Sequence, residues 1–191
     1  MTIAESIFHR RNISPDAFNS KAIATEVIEQ LLDAANQAPT HGYTEPWRFV
    51  VYESAAIKKF TSEHADLYKA HTSSEKYTEA NFLKIKHRGD KASHLIAVYM
   101  KRGTNPKIPR LEEISAVACA IQNIWLLASS MQIGMYWGTG GMVHHSAMKS
   151  YFSLSEEDEM MGLLFLGYSD LEWPKGRRIV PMEEKVQWIK E

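Results

Sequence analysis

Apolar residues recur at helical spacing over 24–38. Val27, Ile28, Leu31, Leu32 and Ala35 form one stripe there, and Pro39 closes the segment. The longest helical pattern covers 110–132. Its apolar positions, among them Val117, Ile121, Ile124, Trp125 and Ala128, wrap nearly the whole circumference. A helix apolar on almost every face lies at the centre of its domain or in an oligomer interface. Ala116, Ala118 and Ala120 would let another helix approach closely, so the pattern predicts a dimer with this helix in or near the contact. Shorter helices are predicted at 1–12, with Ile3, Ile7 and Phe8 on one face, and at 54–70, 74–91 and 144–152. β-Branched and aromatic runs at 47–52, 94–100, 135–137 and 160–167 read as strands. The run HLIAVYM at 94–100 is apolar on both sides and therefore central in its sheet. The pattern predicts a single α+β domain over 1–191, with at least three or four strands and a helical excursion at about 54–91.

Composition narrows the classes. The chain has 191 residues, 45% of them hydrophobic, with 22 basic and 23 acidic residues, for a net charge of −1. That near-neutral balance gives no reason to expect nucleic-acid binding. The cluster Lys84, Lys86, His87, Arg88 and Lys91 reads as a solvated helix face or part of an excursion over a site. Cys119 is the only cysteine, which excludes an internal disulfide. It sits in the run AVACAI, where a buried structural thiol is expected. No signal peptide is evident, and the apolar runs fall short of a membrane span, so a cytoplasmic protein with no membrane partner is expected.

Polar chemistry concentrates in a few stretches. Between the helix at 24–38 and the strand at 47–52, apolar periodicity stops at Ala38 and resumes at Trp47. The residues between, with Gln37 just before them, include His41 and Tyr43 in a turn rich in Pro, Gly and Thr, as suits a binding loop. Arg10, Arg11 and Asn12 close the first helix. The two arginines either complement the helix dipole or converge on one anion. The run GMYWGTGG at 134–141 permits an unusual backbone path, but the dinucleotide pattern GxGxxG fails because Val143 stands where its third glycine belongs. Lys175, Arg177 and Arg178 form a late basic group. His144 and His145 are adjacent and diverge, no HExxH pattern occurs, and no metal site is expected. The Gly- and Pro-containing loop at 101–109 reads as a mobile segment that could lie over a site.

Taken together, the chain resembles the nitroreductase family of FMN-dependent oxidoreductases. The markers are RRN followed by Phe18, the stretch APTHGYTEPWRF at 38–49, AIQN with the following AS at 120–129, WGTG at 137–140, LGYS at 166–169 and PKGRR at 174–178. The resemblance implies a mostly antiparallel sheet flanked by helices and an intertwined homodimer with FMN at the subunit interface. It implies that Arg10, Arg11 and Asn12 meet the phosphate and ribityl chain, and that Gln37 and His41 meet the flavin from the same subunit. Trp137, Gly138 and Thr139 would lie near the ring, lent by the other subunit. Lys175 and Arg177 would hold the phosphate, with Arg178 as the alternative. The implied reaction is ping-pong. NADH or NADPH reduces FMN, and a small electron-poor acceptor such as a nitroaromatic, quinone or enone is then reduced, with water, His41 or Tyr43 the candidate proton donors. A dehalogenase, a metabolite oxidase or a flavin-binding protein with little turnover would use the same fold. This chain departs from the family pattern at Asn12, where serine is common, at Ser14, where a basic residue is frequent, and at Tyr43, where asparagine is frequent.

Overall fold

A computed structural model describes residues 1–190. Four strands form one antiparallel sheet: β1 (Trp47–Glu53), β2 (His94–Met100), β3 (Gly134–Gly138) and β4 (Glu159–Gly167), in the order β1-β2-β4-β3. β2 is central, and six of its seven residues are buried, as its two-sided apolar pattern predicts. Six helices complete the domain: α1 (Ile3–His9), α2 (Thr25–Ala35), α3 (Ala55–His71), α4 (Glu79–Lys86), α5 (Arg110–Ser130) and α6 (Ser146–Tyr151).

Strand alternation divides the core in two. Ile96, Val98, Met100, Leu164 and Leu166 face α2 and α5. Leu95, Ala97, Leu163 and Phe165 face the opposite layer, with Ile57 and Phe60 of α3 and Met148 of α6. The sheet is thus sandwiched between helical layers, and each fully buried Leu or Ile contributes roughly 1.5–3 kcal/mol to the core. By length and composition α5 is long and apolar enough to cross a membrane, contrary to the expectation from the apolar runs. Here it is instead the packed centre of one layer, with Val117, Ile121 and Ile124 fully buried.

Three local expectations change. The first helix stops at His9 rather than continuing to residue 12, because Arg10 turns to φ −50°, ψ 127° and Asn12 forms a parallel bridge with Met135 on the free edge of β3. The loop at 101–109 is tied down rather than free. Lys101 and the Arg102 N–H bind Asp158, while the Arg102 guanidinium pairs with Glu113 and donates to the Ile108 carbonyl. Cys119 is exposed on this chain, on the outer side of α5, and is not a core thiol.

Candidate functional site

Residues 10–12 are extended, so their side chains go different ways. The Arg10 guanidinium lies 4.4 Å from the ring centroid of Trp125 on α5. The Trp125 indole N–H donates to the Arg11 carbonyl at 3.1 Å and anchors the segment. Arg11 turns to the tail, donating from Nε to the Pro174 carbonyl at 2.9 Å and from Nη1 to the Arg10 carbonyl at 2.6 Å. Asn12 Oδ1 accepts the Trp137 backbone N–H at 3.2 Å. This arrangement gathers like charge. Burial, then the neighbouring charges of Arg11 and Arg178, push the Arg10 pKa below the usual arginine value. Among the described residues, Arg10, Arg11, Lys175, Arg177 and Arg178 have no ion-pair partner. Uncompensated guanidinium groups held together in a partly buried place suit an anion, which would relieve their repulsion and accept their forked donors.

β3 runs out beside this group. Trp137 is held edge-on to Trp125 at 6.2 Å, and its indole N–H donates to the Met161 carbonyl at 2.8 Å. Gly162, at φ 147°, makes this possible, because a Cβ there would collide with the indole nitrogen. Gly138 is half-buried, while Thr139 and Gly140 are exposed. The backbone N–H groups of Gly140 and Gly141 donate to no protein group among the described residues. They are donors available to a ligand.

Behind the turn lies a cavity of about 80 Å³ lined by His64, Ile85, Arg88, Tyr136 and the glycines at 138, 140 and 141. Arg88 sits 5.1 Å over the Tyr136 ring and has no ion-pair partner among the described residues. The sequence showed Arg88 only as one member of a basic cluster. Nothing in its spacing separates it from Lys84 or Lys86, because folding alone turns it inward beside the glycine turn.

Gln37 and His41 lie elsewhere. His41 Nδ1 is 2.6 Å from Glu112 Oε2 at the start of α5. Arg10 stacks on Trp125, thirteen residues further along that helix, which places the two groups about 20 Å apart along its axis. The end of α2, just before Gln37, is fixed by Asn123 of α5, whose Nδ2 donates to the Ala34 carbonyl at 3.0 Å. Asn123 and Trp125 point to nearly opposite sides of the helix, roughly 200° apart. Within one chain, then, the two groups do not meet. Trp137 belongs with Arg10–Asn12 of its own chain, and α5 separates Gln37 and His41 from them. Lys175 and Arg177 are exposed in the tail, and of the late basic residues it is Arg178 whose charge bears on Arg10.

The Nitroreductase family model matches residues 7–168, and the chain belongs to that family. It is 27% identical over 172 residues to the Escherichia coli (strain K12) protein named Putative NAD(P)H nitroreductase YdjA, covering 90% of this chain and 91% of that one. The solved nitroreductase-like family protein from Bacillus cereus superposes with a TM-score of 0.83 at 26% identity, over 100% of this chain and 97% of the other. A nitroreductase with bound FMN from Bacteroides fragilis shares the fold, with a TM-score of 0.71 at 19% identity over the full length of both chains. The fold is the nitroreductase-like α+β architecture expected from the sequence.

Proposed function

We propose that this protein is an FMN-dependent oxidoreductase that takes hydride from NADH or NADPH and passes it to electron-poor acceptors such as nitroaromatics, quinones or enones, in a ping-pong cycle. One observation carries the reading: the unpaired Arg10, Arg11 and Arg178 gather at the segment that Asn12 ties to Trp137, three residues ahead of the glycine turn with its free backbone donors. FMN joins a phosphate dianion to a planar ring, and these two halves of the site answer to its two ends. When bound, FMN supplies reversible two-electron hydride chemistry, which demands no protein nucleophile.

The chain's own residues bind and orient. Arg10 and Arg178, with Arg11, Lys175 and Arg177 near them in sequence, hold the phosphate. Charge-assisted bonds of this kind contribute on the order of 1.5–3 kcal/mol each. Asn12 and Trp137 shape the wall beside the ring, and Gly138 and Thr139 lead into the turn where Gly140 and Gly141 offer backbone donors to its edge. Arg88 supplies the positive charge that Ser14 lacks.

The reading includes a homodimer. Arg10–Asn12 and Trp137 of one copy would be completed by Gln37 and His41 of the other, with His41 a candidate proton donor held by Glu112. Exposed apolar residues support this, notably Ile3 at 79% and Phe8 at 78% on α1, and Ile179 at 84% and Trp188 at 81% in the tail. Burying such residues against a second copy is the simplest relief of that exposure. A cytoplasmic location fits the same reading.

The visible absorption spectrum of the purified protein, before and after NADPH, tests it. Flavin bands that bleach on addition are expected. A colourless protein that neither binds added FMN nor supports its reduction overturns the reading. Light scattering is expected to give the mass of two chains.

A further inference from the structure

The cavity behind the glycine turn contains a side chain the flavin reading has not used. His64, in the middle of α3, is 5% exposed. Its Nε2 accepts the backbone N–H of Met142 at 2.9 Å, which fixes the ring proton on Nδ1. Gly141 lies directly against it. A Cβ at 141 would stand 2.6 Å from His64 Nε2 and 3.3 Å from the Ile85 side chain, and φ there is +69°. The chain can pass this point only as glycine because the imidazole occupies the space a side chain would need. At Gly140, by contrast, an added Cβ would meet nothing within 4 Å. The turn is therefore open on one side and backed by His64 on the other.

Resting on the flavin reading above, we propose that His64 is a positioning residue: its imidazole holds the turn through Met142 and thereby places the free N–H groups of Gly140 and Gly141 against the flavin ring. Those donors are not anchored to other protein groups, so their direction depends on what backs the turn. The acceptor is permanently available. Burial, then the charge of Arg88, push the His64 pKa down to about 4, so the ring is neutral wherever the fold is intact above that. The arrangement also sets α3 and Arg88, in the turn after α4, against the glycine turn, so the helical excursion supports the site from behind.

The experiment compares FMN-loaded wild-type protein with His64→Leu, which removes the acceptor, and His64→Gln, whose carbonyl can replace Nε2. Three quantities are read: flavin midpoint potential, the rate of flavin reduction by NADPH, and amide exchange at Gly140–Met142 with and without FMN. For His64→Leu the expectation is a shifted potential, a roughly tenfold slower reduction and faster exchange confined to the turn, because small misplacements at a reacting centre carry rate losses of this order or larger. His64→Gln is expected to restore all three. Should His64→Leu not fold, His64→Asn, too short to reach Met142, takes its place. A folded variant with unchanged potential and reduction rate overturns the proposal, whether or not turn exchange rises. So does a His64→Gln protein no better than His64→Leu. Wild-type protein that binds no FMN instead overturns the flavin reading itself, which the exchange data in the absence of FMN keep separate.

Discussion

Asn12 Oδ1 accepts the backbone N–H of Trp137 across 125 residues of sequence, at 3.2 Å. That bond fastens the arginine segment to the free edge of β3, so the cations of residues 10 and 11 and the end of the strand keep a fixed separation. Asn12→Ala is expected to weaken FMN retention about fivefold and to cost about 1 kcal/mol of stability. Equilibrium dialysis and a urea titration measure the two effects, and an unchanged FMN affinity would refute this role for Asn12.

Arg10→Ala and Arg178→Ala are each expected to raise the dissociation constant for FMN by roughly 10- to 100-fold, the equivalent of one lost charge-assisted contact. Because Arg10 is held by Trp125 and not by a carboxylate, the apoprotein should keep its fold in both variants. Arg177→Ala is the informative comparison. Its exposed side chain makes no hydrogen bond or ion pair among the described residues, so a smaller loss than for Arg178→Ala is expected. A larger loss would move the phosphate toward Arg177.

Arg88 offers a positive charge beside the glycine turn. A cation near the ring stabilises the reduced, anionic flavin. Arg88→Ala is therefore expected to make the flavin midpoint potential more negative and to increase the salt insensitivity of that potential, while Arg88→Lys retains most of the wild-type value. Spectroelectrochemical titration reads both variants. Equal potentials in the wild type and Arg88→Ala would remove Arg88 from the site.

The fold should also carry an acid-sensitive clasp. Burial raises the Asp158 pKa, but the Lys101 ammonium and the N–H groups of Arg102 and Ser155 outweigh it and hold the carboxyl at about 2. The folded value lies below that of the unfolded chain. The clasp therefore contributes its full stability above the ordinary carboxylate pKa and loses it as pH falls from about 4 toward 2. Asp158→Asn is expected to cost about 2 kcal/mol at pH 7, as for weakened hydrogen bonds to a buried carboxylate whose cationic partner, Lys101, is half exposed and stays hydrated. Its melting temperature should approach that of the wild type in acid. Parallel curves at all pH values would contradict this.

Periodicity carried most of the architecture. The two-sided apolar run at 94–100 is a central strand as its pattern predicts, and of the two places left open for the all-round apolar helix at 110–132 the packed centre of a layer is occupied, because each pattern states which faces leave water. The order of short motifs pointed to the family for a related reason: RRN, WGTG and PKGRR carry the residue types that an anion and a planar ring would need under the proposed function. Ends of elements were less legible. Nothing in residues 10–12 announces that they leave the helix, since the partner that draws them out, Met135, lies far along the chain.

Sequence alone therefore determined the α+β class, the strands and the polar stretches available for chemistry, all of which follow from local pattern and residue type. Only the tertiary structure decided which of those stretches meet. It joined Asn12 to Trp137, put Arg178 rather than Arg177 within reach of Arg10's charge, turned Arg88 and His64 toward the glycine turn, and set His41 at the far end of α5. Such meetings depend on the paths of strands and helices between residues distant in the chain. No run of neighbouring side chains records them, and that is why the motifs do not show that His41 stands apart from Arg10–Asn12 within one chain.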